Sequence, residues 1–313
     1  MPDRTTRPDP AAGAPGHPAA AGRDDAPERA RADAPLARAG DGSSIVVHLK
    51  PHEETSEHVA VAVRLAASRG ARLTGLFVQR ELSVLKAIHA PGALPPARLA
   101  AYEAQAAEAG RRFRAQASLA GAEAEFHAAE GDAAELLGFV GRLHDLVVVE
   151  QTDLGHDEIG FDVPEHCVAA TGRPVLVVPH AGHFPQIGRH VLVAWNGSRE
   201  ASLAVQHALP FIRAAERVTL LEGGRGERFP SVTRWPAIGV GDSLGRLARR
   251  FEAVPSHAGA AGAGPLILDT AAERGCDLVV MGAYGRSWLH EWVLGGATRH
   301  ALRNARVPLL MAG

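Results

Sequence analysis

Cysteine is scarce in this chain, two in 313 residues, and Cys167 and Cys276 stand far apart in apolar surroundings. Two distant thiols build neither a disulfide framework nor a cysteine metal site, so both read as small core residues in a reducing compartment. Net charge is nearly absent as well, −2 formally, which removes the electrostatic case for a nucleic acid or an anionic membrane as partner. No apolar run reaches the length of a bilayer span, so the expected location is the cytoplasm. Large aliphatics are missing from residues 1–42, where Leu36 is the only one apart from Met1 among 12 Ala, 7 Pro, 6 Arg and 7 acidic residues. Such a stretch cannot bury enough surface to offset its ordering entropy and is expected to be a disordered tail. It lacks the apolar middle of a secretory signal, and acids match its arginines, unlike a transit peptide.

What is present after residue 43 is a pattern stated twice. Ser44–Lys50 and His190–Asn196 are apolar runs followed by a polar turn and an amphipathic segment. Second strands follow at Arg72–Val78 and Val218–Leu221, and the units close on Asp145-Leu-Val-Val-Val149 with Pro174–Val178, and on Asp277-Leu-Val-Val-Met281 with Pro308–Met311. Strands rich in Val and Leu, alternating with helical segments, predict a parallel sheet covered on both faces. Between these landmarks we expect helices at Glu103–Leu119, Ala133–Leu143, Asp242–Arg250 and Pro265–Arg274, and strands near Ala122–Ala128 and Phe251–His257. Gly259–Gly264 reads as a loop and Pro179–Pro185 as a linker. The domain boundaries that follow are a tail at 1–42, a first domain at 43–180 and a second at 187–313, each domain about 130 residues and of ordinary size.

The most informative stretch lies near the end. Gly282-Ala-Tyr-Gly285 follows the apolar run closing at Met281, and Gly295-Gly296-Ala297-Thr298 precedes a predicted helix, Thr298–Asn304. Glycines at a strand's C-terminal end let backbone N–H groups approach a ligand, and a helix start adds partial positive charge. That combination suits a phosphate. The same glycines also suit tight turns and close helix packing.

The spacing Gly-x2-Gly-x9-Gly (Gly282, Gly285, Gly295) resembles the nucleotide loop of the universal stress protein family, and the resemblance extends over about residues 44–313. It implies an α/β fold of two tandem flavodoxin-like domains, akin to the adenine nucleotide alpha hydrolase fold, each with a five-stranded parallel sheet and helices on both faces. It also implies an adenine nucleotide, ATP with its Mg2+, held by Asn196, Gly197, Leu220, Met281, Gly282, Gly285, Arg286, Gly295, Gly296, Ala297 and Thr298. In the family an Asp commonly ends strand one, and here Asn196 stands there, able to hydrogen-bond but uncharged. Nucleotide-binding members usually follow the third glycine with Ser or Thr, where this chain has Gly296. Fifth strands in the family commonly mediate pairing, which implies that the two units pair within the chain and that chains could form a homodimer.

The first unit departs from the motif. Glu150 stands where Gly282 does, Asp153 where Gly285 does, and Lys50 where Asn196 does. A carboxylate in a phosphate cradle repels the ligand, and side chains there block backbone approach. The first unit is therefore expected to be structural or regulatory.

Other motifs carry less. His180-Ala-Gly-His183 matches the His-x-Gly-His signature of nucleotidylyltransferases, but lies in the linker with no helix to aim it. Among 16 histidines, His52 with His58, and His290 with His300, lack the four-residue spacing of a helical metal pair, so solvated or capping roles are expected. Ser198 suits a helix N-cap before Glu200. Arg286 and Arg299 flank the loop and could meet phosphate charge, and Trp288 with Trp292 suggests an apolar ridge for the other unit or a second chain. No catalytic residue and no protein-held metal is expected. The sequence leads to a nucleotide-binding stress sensor without strong catalysis, with a nucleotide-free scaffold on the same fold as its first rival and, last, an ATPase or nucleotidyl transferase, for which the second unit shows neither a metal-holding carboxylate nor a base near the loop.

Overall fold

The computed structural model describes residues 42–50, 56–79, 96–153, 163–223, 238–256, 262–284 and 296–313. The expected tail, apart from Gly42, lies outside them, as do His52, His290, Trp288 and Trp292. The first half of the sheet comprises β1 (Ser44–Leu49), α1 (Glu57–Arg69), β2 (Arg72–Gln79), α2 (Pro96–Leu119), β3 (Ala124–Glu130), α3 (Ala133–Val140), β4 (Leu146–Glu150), α4 (Val163–Ala170) and β5 (Val175–Val178). The second comprises β6 (His190–Trp195), α5 (Arg199–Ala214), β7 (Arg217–Glu222), α6 (Val240–Leu247), β8 (Phe251–Pro255), α7 (Ala263–Glu273), β9 (Leu278–Gly282), α8 (Ala297–Asn304) and β10 (Leu309–Ala312).

This is an α/β fold built on one ten-stranded sheet, in the order β3-β2-β1-β4-β5-β10-β9-β6-β7-β8. Every neighbouring pair is parallel except β5 and β10, which run antiparallel through Leu309↔Val177, Leu310↔Leu176 and Met311↔Val175. Alternation along each strand sends one set of side chains to each face. Ile45, Val47, Val148, Leu176, Val280 and Leu310 join α1, α2, α5 and α6 on one side. Val46, Val147, Val177, Val279 and Leu309 join α3, α4, α7 and α8 on the other. Burial on both faces is why these strands read as continuous Val/Leu runs.

The repeated Asp that opens β4 and β9 has the same task in each half. Asp145 Oδ2 accepts from the Ser44 N–H at 2.9 Å and its hydroxyl at 3.0 Å. Asp277 accepts from the backbone N–H groups of Gly188, Arg189 and His190, each at 3.0 Å. Each carboxylate pins the start of the adjacent first strand, at the end of the sheet remote from the glycine loop.

Several element ends differ from expectation. α2 begins at Pro96 rather than Glu103, because proline's missing N–H costs nothing in a first turn and Ala-Arg-Leu continues the helix. The segment expected as a helix to Leu143 is α-helical only to Val140, then tightens into a 3-10 turn over Gly141–Leu143. α6 runs Val240–Leu247 instead of Asp242–Arg250, β8 stops at Pro255, and Ala263–Gly264 already belong to α7.

Leu310 is 1% exposed and faces Leu176 across the antiparallel junction. Leu310→Ala should lower unfolding free energy by about 3 kcal/mol, the usual cost of an emptied leucine site, as read from urea denaturation.

Candidate functional site

In the second half, β6 lies between β7 and β9, so the chain leaves β6 in one direction and returns on its other side. Ligands of open parallel sheets bind beyond the strand ends at such a reversal. The loop after β6 is tightly built. Asn196 Oδ1 accepts from the Ser198 N–H at 3.1 Å, Gly197 takes a positive φ of 72°, and Ser198 Oγ accepts from the Ala201 N–H at 3.0 Å to cap α5. Ser198 is thus the N-cap the sequence suggested.

Across the reversal, Met281 pairs with Ala194 and is 4% exposed. Gly282 follows, and a Cβ there would stand 2.4 Å from Ala201 N and 2.5 Å from Glu200 C. The first turn of α5 therefore rests directly on this glycine, and backbone cannot yield that space. Ala283 is 1% exposed, with its N–H donating to Ala312 O at 2.8 Å, and Tyr284 takes a left-handed φ of 54°, a turn conformation few non-glycine residues adopt. Gly285, Arg286 and Gly295 lie outside the described residues. Gly296 is the N-cap of α8, and Ala297 and Thr298 form its first turn, with Thr298 5% exposed. A helix leaves its first-turn N–H groups without internal acceptors, which is what an anion needs. Arg299 Nε lies 3.8 Å from Glu165 Oε1 on α4.

Leu220 is placed otherwise than a strand-end ligand wall. It is 1% exposed and pairs with Val193 inside the sheet, because β7 continues to Glu222. The residue level with Asn196 is Gly223, whose N–H donates to Trp195 O at 2.7 Å. Sequence reading passed over Gly223 although a glycine closing an apolar strand was the very signal used at Gly282. Glu200, read from the sequence only as a residue of the first turn after the Ser198 cap, is an 8% exposed carboxylate that lies 3.4 Å from Arg199 Nε. Among the described residues, no group of three or more His, Cys, Asp or Glu side chains could hold a metal ion.

The equivalent reversal in the first half, between β1 and β4, is filled by charge. Glu150 takes a 2.6 Å hydrogen bond from Lys50 Nζ, and its other oxygen lies 3.6 Å from His58 Nδ1. His58 was expected to be solvated or a cap, yet it is 0% exposed and its Nε2–H donates to His48 O at 2.7 Å. Burial opposes the charged form of Glu150, but the hydrogen bonds and charges of His58 and Lys50 outweigh it and bring the carboxyl down to about 2. Burial, aided by the charges of His58 and Lys50, drives the buried His48 down to about 3. A glutamate fits here because α1 starts only at Glu57, eight positions after β1 ends at Leu49, whereas α5 starts four after Trp195.

His183 of the tempting linker motif is bound elsewhere. Its Nδ1 lies 3.0 Å from Glu57 Oε2 on α1, and Glu57 Oε1 accepts from the Phe184 N–H and from Arg64. A cavity of about 600 Å3 lined by Arg64, Phe184, Arg189, Glu216 and Arg249 sits beside this linker. Apart from Arg64, in the second half of α1, those residues precede β6, β7 and β8, so the cavity lies at the strands' opposite ends from Gly282. Both cysteines are reduced, and burial pushes the Cys167 thiol up to about 12.

An open, mainly parallel sheet with helices on both faces and a strand-order reversal in each half defines the class as open-sheet α/β proteins. The model of the universal stress protein family matches residues 240–313. No curated protein matches the sequence. The chain is similar to a universal stress protein from Archaeoglobus fulgidus DSM 4304, with 14% identity and a TM-score of 0.63 over 86% of this chain and 96% of that one. It is also similar to a functionally unknown protein from Pseudomonas aeruginosa PAO1, with 15% identity and a TM-score of 0.54 over 87% of this chain and 92% of the other. At such identities the likeness concerns the fold.

Two measurements test this geometry. His48 has a folded pKa below its unfolded value, so its contribution is complete above pH 6.5 and lost as pH falls toward about 3. Glu150 adds a loss in the same direction between 4.5 and about 2. Stability followed by denaturation at successive pH values should fall between pH 6.5 and 4.5 by up to about 1.4 kcal/mol per pH unit, and more steeply below 4.5 where both groups titrate, and His48→Leu should flatten the stretch between pH 6.5 and 4.5. Separately, Gly282→Ala should destabilise the fold by about 2–3 kcal/mol, since the new methyl meets backbone atoms of α5.

Proposed function

We propose that this chain is an adenine-nucleotide-binding stress protein whose single site lies in the second half and takes ATP with its Mg2+. The observation that carries this reading is that β6 and β9 are neighbours at one strand reversal, with the Asn196–Gly197 turn following β6, and Gly282 and then the α8 start at Gly296–Thr298 following β9. Gly285, Arg286 and Gly295 complete the motif in the sequence. Phosphates would rest on the first-turn N–H groups of α8 and on loop backbone, with Arg286 as a cationic partner. The base would lie toward the backbone at the end of β7, by Gly223. Magnesium would arrive with the nucleotide. The protein binds and responds rather than turning over substrate, because Asn196 supplies no charge for a metal-bound leaving group and Asp277 is committed at the far end of the sheet. The absence of a helix long and apolar enough to cross a membrane, among the described residues, accords with a cytoplasmic role. The β5–β10 ladder supports pairing of the two units within one chain, and a homodimer would have to use another surface.

A scaffold without nucleotide is the second reading. It is favoured by Gly282, whose glycine is already demanded by the packing of α5, and by Asn196, whose Oδ1 is taken by the Ser198 N–H.

Calorimetric titration with Mg-ATP separates the two. The sensor reading expects about one site per chain. Gly285→Glu, which places in the loop the charge the first half carries, should weaken binding at least about tenfold, 1.4 kcal/mol. Absence of heat and of any melting shift at millimolar Mg-ATP leaves the scaffold.

A further inference from the structure

We propose that Gln151 is a positioning residue for the second half's nucleotide loop, through which the first half sets the affinity of that site; this rests on the nucleotide reading above. Gln151 immediately follows β4 and is 2% exposed. Its side-chain Nε2 donates to Leu302 O at 2.8 Å and to Ala305 O at 3.3 Å. Both acceptors are carbonyls, so the amide must present its NH2 edge to them. The bonds cross from the first half to the C-terminal end of α8, the helix whose N-terminal end carries Gly296, Ala297 and Thr298.

The corresponding arrangement in the other direction is missing. The residue after β9 that matches Gln151 is Ala283. The Gln151 N–H donates to Val178 O at 2.7 Å, as the Ala283 N–H does to Ala312 O at 2.8 Å. A methyl group cannot cap a helix. α4, the counterpart of α8, is instead capped within its own half: Thr171 Oγ1 donates to Cys167 O at 2.8 Å, and Arg142 donates to Ala170 O at 3.1 and 3.0 Å. The first half thus completes its own last helix, whereas α8, beside its own Asn304 Nδ2–H donated to His300 O at 2.8 Å, takes two further bonds from the first half. A second link lies in the first turn of α8, where Arg299 approaches Glu165 of α4.

An eight-residue helix has little rigidity of its own, and its place depends on what holds its ends. Removing the Gln151 donor leaves two carbonyls in surroundings where an unmet hydrogen bond is costly. The helix then frays or slides to reach water. Because α8 is short, movement at Leu302 and Ala305 reaches the first-turn N–H groups that face a phosphate, and misplaced donors bind it less well.

The test uses the full chain with Gln151→Met, which keeps side-chain length and loses the donor, and Gln151→Glu, which keeps the shape and places a carboxylate against the carbonyls, should the Met variant fail to fold. Hydrogen exchange without ligand should quicken about tenfold at Ala301–Ala305, while α4 amides keep their rates. Mg-ATP affinity should fall about three- to tenfold with stoichiometry unchanged, a coupling of ordinary size. Arg142→Met, which removes a comparable cap from α4, should leave affinity at the wild-type value. Wild-type exchange in α8, or wild-type affinity, in the Gln151 variants overturns the proposal, as does an equal loss in Arg142→Met. If the wild-type chain takes up no Mg-ATP, the nucleotide reading fails, and the exchange measurement alone decides whether Gln151 holds α8.

Discussion

The antiparallel ladder between β5 and β10 is the constraint on which the rest of the arrangement depends. Each half has its own parallel strands, but β5 and β10 would be bare edges if left alone, with unpaired N–H and C=O groups inviting association. Pairing Leu309–Met311 with Val175–Val177 closes both edges at once and places two helix layers over a continuous sheet. It also sets α4 beside α8 across the junction, which is why a residue ending β4 reaches carbonyls in the other half.

The two strand reversals show what one residue at a strand end decides. With glycine at 282, α5 starts early and lies directly on the strand, bringing its first turn to the reversal. With glutamate at 150, α1 starts later, and the space is filled by Lys50, His58 and the carboxylate between them. The first arrangement sets the first turn of α5 against the end of β9. The second meets its own charges internally, and the carboxylate expected to repel a ligand is neutralised in place. Burial of ion pairs gives little net stability, but removal of one partner would strand the others.

Much of this was readable in advance because parallel strands buried on two faces impose a strong pattern. The runs at 145–149 and 277–281, the amphipathic segments and the Gly282–Thr298 spacing each follow from one local rule. Element ends were less legible. Pro96 looked like loop because proline usually ends helices, while at a first turn it opens them. Leu220 was set at a strand end because the apolar run stops at Leu221, yet the ladder carries Glu222 as well, since backbone pairing does not require an apolar side chain. His58 looked solvated because an imidazole on a helix start usually is. Its burial depends on Glu150 and His48, ninety-two positions away and ten before it.

By itself the sequence determined the class of fold and most of its strands and helices, because periodicity and strand composition are local properties that backbone sterics and burial convert directly into structure. Tertiary structure alone decided which residues share a face of the reversal, that Gly282 is pressed by α5, that the Lys50–Glu150–His58 charges meet, and that Gln151 serves a helix about 150 positions downstream. Those contacts come from how the two halves lie against each other across β5 and β10. No local rule encodes a side chain's partner when that partner is supplied by a distant turn of the same chain.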